Sequence, residues 1–430
     1  MVGTRAIGLG AAISIGVGAM VGAGIFSILG VAASIAGNAL YISFIVSGVI
    51  ALIIAYSYAK LSLRYPSAGG PTEFLVKGFG DGTTSGGFNL LLWISYVFGL
   101  ALYSRAFGSY ATTFLPAGVS NLWVNFFATS IILLFTFINF IGARAVGSAE
   151  KYIVAIKVDI LLTFVVIGLF FIQPNLLVVS SWPPVSNIFF ASAIVFLAYQ
   201  GFSLITNAAE DMDTPQVTVP RALYLSIALV IIIYVGVSVM VLGNLPISDI
   251  ISAKDYAMAQ ATTPFLGALG FKIVAIAALL STASGINATL YGGANISYML
   301  AKEGHLPAIF ERKVWQRSTE GLFVTAGLTI LFANFLDLAA IAMVGSASIL
   351  LIYVAVNVAH LKLRKETGAR RAPIWAAIVL SLAFFVTLIF YEVQHSPTTI
   401  VTLVIVVLLS FVIEWGYRAH TKRPMETRTA

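Results

Sequence analysis

Apolar residues in this chain gather into long unbroken runs separated by short polar punctuation, with no period-2 alternation to mark strands. Runs of spanning length lie at about residues 7–35, 40–63, 88–115, 122–142, 150–172 and 187–209, and again at 221–243, 266–299, 321–336, 338–360, 373–391 and 398–417. A helix of about 20 apolar residues crosses a hydrocarbon core about 30 Å thick, so the pattern predicts twelve membrane helices. The ninth and tenth are separated only by the polar tip from Asn334 to Asp337. The longest stretches between runs, 244–265 and 300–320, are too short to bury an independent core. In the loop after Arg64, rich in Gly, Ser and Pro, a short amphipathic piece is expected.

Two runs are interrupted from within. The first is longer than a span requires and carries Gly16, Gly18, Gly22 and Gly24 inside nine positions, each a weak point in a helix. The sixth carries Ala198-Tyr199-Gln200-Gly201-Phe202-Ser203. Freed backbone groups at bilayer depth are tolerated only against protein, water or a polar ligand, and interrupted helices five spans apart point to an inverted-repeat transporter. A break at Val21 to Gly24 starts a second half-helix at the amides of Ala23, Gly24 and Ile25, whose positive dipole end suits a carboxylate. Carbonyls near Met20, and others near Leu197 to Gln200, suit an ammonium. Together they match a zwitterion. The competing reading is a small-residue packing face, since Gly18 and Gly22 are four apart. A dinucleotide fingerprint is excluded, because it needs a preceding strand and a downstream acid.

Composition agrees with the pattern: 59% hydrophobic residues, 10% charged and a mean hydropathy of +0.98, where soluble domains carry about 25% charged. The net charge of +7 does not mark a nucleic-acid binder, because the basic residues fall in short blocks between spans. Alternate loops hold Lys60, Arg64 and Lys77, then Arg144 and Lys151, Arg221, then Lys302, Arg312, Lys313 and Arg317, then Lys362 to Arg371, and last Arg418 to Arg428. The opposite set holds Lys254 and Lys272. Both termini are therefore expected in the cytoplasm, with the N-terminal run retained. The chain has no cysteine, which excludes disulfides, thiolate metal sites and a cysteine nucleophile.

A few ionisable residues fall inside spans. Lys157 lies mid-span, at a cost of about 2.5 to 3.5 kcal/mol on insertion scales. It reads as a proton carrier or as the partner of Asp159, although residues two apart on a helix do not meet. Asp159 reads equally as a proton or cation ligand, or as the partner of another helix. Arg105 is expected to snorkel to the interface. Ser281, Thr282, Ser284 and Asn287 give the eighth span a polar face, for interhelical bonds or for a buried ammonium. Glu210, Asp211 and Asp213 read as a solvated loop or a gate contact. His305, His360, His395 and His420 are scattered, so no metal site is expected.

Gly18-Ala19-Met20-Val21-Gly22-Ala23-Gly24-Ile25-Phe26, Tyr65-Pro66-Ser67-Ala68-Gly69-Gly70-Pro71, Phe196 to Phe202 with Ala208-Ala209-Glu210, Asn287 to Asn295 and Arg312-Lys313-Val314-Trp315 resemble the amino acid, polyamine and organocation transporter superfamily. Within it, the chain is similar over its full length to the archaeal proton-coupled amino acid transporters. The resemblance implies an all-α polytopic membrane protein with the leucine-transporter fold: twelve transmembrane helices, the first and sixth broken. Two inverted five-helix repeats at 1–173 and 186–362 would precede two appended helices at 373–417 and a cytoplasmic tail at 418–430. The family's substrate site falls on Met20, Ala23, Gly24, Ile25, Leu197 and Gln200. Its proton-coupling lysine falls on Lys157, in the place of a sodium ion, touching a carbonyl near Gly18 and Ser281 or Ser284. Ser203 stands where many relatives have Glu, and Asp159 is foreign to the pattern. The implied activity is import of small neutral amino acids by proton symport through alternating access. The proton gradient is the driving force and no cofactor is needed. Exchange or sodium coupling is the alternative; a receptor or enzyme lacks its ligand domain or catalytic cluster here, and a channel has no need of two broken helices. The expected partners are an amino acid and the lipid of the cell membrane, without nucleic acid, for a monomer or weak homo-oligomer.

Overall fold

A computed structural model describes residues 7–21, 24–67, 69–116, 118, 120–141, 144–212, 214–302, 306, 310, 313–315 and 318–421, with 144–152, 254, 295, 302, 313–315, 318–319 and 421 by backbone only. The helices are α1 (Leu9–Met20), α2 (Gly24–Ala36), α3 (Leu40–Arg64), α4 (Pro71–Phe79), α5 (Thr83–Thr112), α6 (Leu122–Ile141), α7 (Arg144–Leu169), α8 (Val185–Val195) and α9 (Leu204–Asn207). They continue as α10 (Pro215–Asn244), α11 (Ile247–Ala253), α12 (Ala257–Gln260), α13 (Thr263–Lys302), α14 (Glu320–Phe335), α15 (Leu338–Lys362), α16 (Arg364–Thr367), α17 (Arg371–His395) and α18 (Pro397–Thr421).

Each of the twelve apolar runs carries a helix or a pair of helices, and the protein is all-α and polytopic. Among the described residues, nine helical stretches are long and apolar enough to cross a membrane, and Leu9–Met20 and Glu320–Phe335 are shorter apolar helices. The separation at the polar tip is real: Asp337 caps α15, its Oδ1 accepting from the Ala340 amide at 2.7 Å. The expected amphipathic piece is α4, which starts on Pro71 and stops before Gly80. Among the described residues, a small hairpin pairing Lys313–Trp315 with Ser318–Thr319 lies outside the all-helical pattern.

The first and sixth spans occupy the centre. α1, α2 and the middle of the sixth span pack on one another and are ringed by α3, α5, α10, α13 and α15. Outside them, α6 turns Leu133, Leu134 and Phe137 outward, and α18 turns Val404, Leu408 and Val412 outward. Such apolar faces are stable where the surroundings are lipid. Two short helices that hydropathy did not reveal, α11 and α12, fold over α2, and Asp255 beside them accepts from the Ser109 hydroxyl of α5 at 2.8 Å. At the other end the Ile7 amide donates to the Asp211 carbonyl at 2.8 Å, joining the start of the first span to the end of the sixth.

Candidate functional site

In the first span α1 ends at Met20, Val21 keeps a right-handed helical conformation, and α2 begins at Gly24. Gly22 and Ala23 lie outside the described residues, so the amide expected of Ala23 is not placed. Gly24 and Ile25 open α2 and are buried. The first amides of a helix have no acceptor within it, so this end carries positive partial charge into the interior.

The carbonyls that α1 leaves behind are claimed from three directions. Lys157 of α7 donates its Nζ to the Gly18 carbonyl at 3.0 Å, Tyr234 of α10 donates to Met20 at 2.6 Å, and Ser281 of α13 donates to Val21 at 2.9 Å. Three helices thus contribute donors within four residues, and Lys157 is 1% exposed. Each carbonyl oxygen has two lone pairs, so a donor on one leaves Met20 able to accept from a ligand as well.

The sixth span changes winding without stopping. α8 passes at Phe196 into a 3₁₀ helix over Phe196–Ser203, and α-helix resumes at Leu204. Eight residues is long for a winding usually confined to three or four, and such stretches mark hinges. The Ala198 carbonyl accepts from Tyr234 at 3.2 Å, and the Gln200 carbonyl accepts from Ser203 Oγ at 2.9 Å and from Tyr353 of α15 at 3.3 Å. The Tyr199 hydroxyl donates to Phe44 of α3 at 2.9 Å. Leu197 is buried against Gly345 of α15, and half-buried Gln200 lies beside Gly99 of α5.

Glycine brings the two spans into backbone contact. A Cβ on Gly24 would sit 2.7 Å from the Ala198 Cβ, and one on Gly201 would sit 2.7 Å from the Met20 nitrogen. Close packing is seen at Gly24 against the sixth span and at Gly18 against Val154 of α7; Gly22, the other half of the expected packing pair, lies outside the described residues.

The remaining expectations divide. Asp159 is exposed while Lys157 is buried, so the two do not share a face. Arg105 does not simply snorkel: Nη1 donates to the Ala333 carbonyl at 2.9 Å, capping the end of α14. On the polar face of the eighth span, Ser281 turns to the break, buried Ser284 lies one turn on, and Asn287 accepts from Asn139 of α6 at 2.9 Å. Glu210 and Asp211 are exposed; Asp213, His305, Arg312, Arg317, Lys422, Arg423 and Arg428 lie outside the described residues. Among the described residues, no group of three or more His, Asp or Glu side chains is placed to hold a metal ion. What the sequence did not disclose is the set of tyrosines. Tyr234 and Tyr353 are single phenols inside aliphatic runs, and a phenol there needs an acceptor, which only an interrupted helix offers in quantity.

The amino acid permease model matches residues 7–412. The chain belongs to the amino acid permease family. Among similar sequences, an uncharacterised protein of Methanocaldococcus jannaschii is 42% identical over 97% of both chains, and the inner membrane transport protein YbaT of Escherichia coli is 35% identical over 96% of both. The branched-chain amino acid permease BcaP of Bacillus subtilis is 24% identical over 92% of this chain and 90% of its own. Membership makes this permease a multi-pass membrane transporter of amino acids and not an enzyme. The meeting of the two interrupted spans is its candidate substrate site.

Proposed function

We propose that this permease imports small neutral amino acids by proton symport. The substrate lies between the two interrupted spans, its carboxylate on the amides of Gly24 and Ile25 that open α2, with Ala23 expected beside them, and its ammonium on carbonyls near Met20 and Ala198. Leu197 and Gln200 border the side chain. The observation that carries the coupling is the contact of buried Lys157 with the Gly18 carbonyl at 3.0 Å, two residues before the end of α1. An ammonium there is a cation fixed to the protein, in the position that a bound metal cation fills in ion-coupled designs. Protonated, Lys157 ties α7 to α1 and, with Ser281 on Val21, joins α13 to the same end. Losing its proton removes the charge from that contact, loosens α1 and favours opening toward the basic face.

Two five-helix repeats rocking around this centre supply the alternating access, with both termini on the cytoplasmic side of the cell membrane, as the basic loops indicate. The test is uptake of labelled alanine into proteoliposomes under an inward proton gradient, without sodium. Wild-type protein is expected to accumulate alanine and Lys157→Ala to lose the dependence on the gradient. Undiminished, gradient-driven uptake by Lys157→Ala overturns the lysine mechanism, and uptake that needs sodium overturns proton coupling.

A further inference from the structure

At the end of the bundle away from the basic loops, α15, α17 and α18 line a half-open cavity walled by Val344 and Ala347, by Leu388, and by Thr399 and Leu403. Its volume of about 10 Å³ is the size of one water molecule. Its one acidic wall is Glu392, in the last turn of α17. Glu392 is 3% exposed, and among the described residues no donor meets its carboxyl oxygens with full hydrogen-bond geometry, although the Thr399 hydroxyl lies close enough to interact. No cation lies within ion-pair distance of it among the described residues. Burying an unpaired carboxylate costs far more than burying the neutral acid.

The charged and titratable groups around it are few. On its own helix, His395 stacks on Tyr391 at 4.1 Å and engages the Tyr391 carbonyl at 2.9 Å. From α15 there is Asp337, occupied in capping that helix. α8 faces α17 with no titratable residue, and the one acid of α18, Glu414, pairs with Arg418 at the far end. Asp337 adds negative charge nearby and His395 is held by its own backbone, and the cavity beside Glu392 has a wall that is apolar but for Thr399, so these surroundings favour the neutral acid.

We propose that Glu392 is a proton-binding site, separate from Lys157, which seals α15 against α17 and α18 when it is protonated. The proton arrives and leaves with water that enters beside Glu392 when the helices part: hydronium gives it to a carboxylate oxygen, forming the O–H bond and leaving water, and the return step reverses this. Ionisation requires water to follow the charge into the cavity, which separates its walls. The wall on α15 is one turn whose next residues meet the sixth span: Gly345 packs on Leu197, and the Ser346 hydroxyl donates to the Ala193 carbonyl. Protonation at Glu392 is thereby linked to the substrate site through α15. This link is independent of the Lys157 reading.

The test is infrared difference spectroscopy on the full-length protein in lipid, between about pH 5 and about pH 9. The wild type and Lys157→Ala are expected to lose a carbonyl-stretch band of a weakly hydrogen-bonded carboxylic acid as pH rises. Glu392→Gln, neutral and of the same shape, is expected to lack that band. A band that survives in Glu392→Gln, or none in the wild type, overturns the site. The link to α15 is read in counterflow of labelled substrate with equal pH on both sides. Wild-type exchange is expected to fall roughly tenfold for each pH unit above the ionisation of Glu392, and the profile of Glu392→Gln to be flat there. Superimposable profiles overturn the link. Failure of the lysine mechanism would show instead as gradient-driven uptake by Lys157→Ala, with the Glu392 band intact.

Discussion

The two interruptions at the centre of this permease solve one problem in different ways. The first span stops, and its last carbonyls are held by an amine, a phenol and a hydroxyl from three helices. The sixth tightens into 3₁₀ winding, keeps its chain direction, and is held by phenols and by its own Ser203. A phenol ionises only well above physiological pH and so is a neutral donor. Among the described donors at the two breaks, the amine of Lys157 serves the first, and in the proposed mechanism it carries the proton. The two spans thus differ in what holds them, a charged donor from α7 for the first and neutral hydroxyls for the sixth.

The largest test of that contrast is steric. Gly201→Val puts a branched side chain where a Cβ alone would sit 2.7 Å from the Met20 nitrogen. Overpacking of this kind costs about 1 to 3 kcal/mol or more, and substrate counterflow is expected to fall more than about tenfold, with a lower Tm of the purified protein. Wild-type counterflow in this variant would mean that the two spans are not in contact during turnover. Tyr234→Phe comes next, because its hydroxyl serves both breaks, at 2.6 Å to Met20 and 3.2 Å to Ala198. Leaving buried carbonyls short of a donor costs about 1 to 3 kcal/mol, and substrate affinity by titration calorimetry is expected to weaken roughly tenfold. Unchanged affinity would detach this tyrosine from the site. Smallest is Tyr353→Phe, which removes one long contact of 3.3 Å to a Gln200 carbonyl that keeps its bond from Ser203. A loss of about 1 kcal/mol or less is expected, and an effect as large as that of Tyr234→Phe would refute the ranking.

Much of this was legible in residue order. Twelve apolar runs became helices, the polar tip at Asp337 became a cap, and the glycine clusters marked where the central spans are interrupted. Those features are local, set by hydropathy and by the backbone freedom of a few residues. The tyrosines were not legible, because Tyr234 finds its acceptor 214 positions away at Met20 and looks from its own neighbours like one more apolar residue. The same holds for Arg105, whose acceptor lies 228 positions on at Ala333. Nor does side-chain order distinguish a tightened turn at Phe196–Ser203 from an open one, since that choice is made by the helices packed around it. Glu392 stands at the edge of a run, where an acid is ordinarily wet; the packing of α15 and α18 over it makes it dry.

The bond from Ile7 to Asp211 has a mechanical consequence. α1 has 12 residues, a rigid rod about 18 Å long, and Met20, where it ends, is its joint. Each degree of rotation at that joint carries the far tip about 0.3 Å. A peptide hydrogen bond at the tip therefore acts with the full mechanical advantage of the rod, and stretches beyond bonding distance after a swing of a few degrees. The rod behaves as a latch: it opposes torque at its joint with its whole length as lever arm, and lets go within a few degrees of rotation.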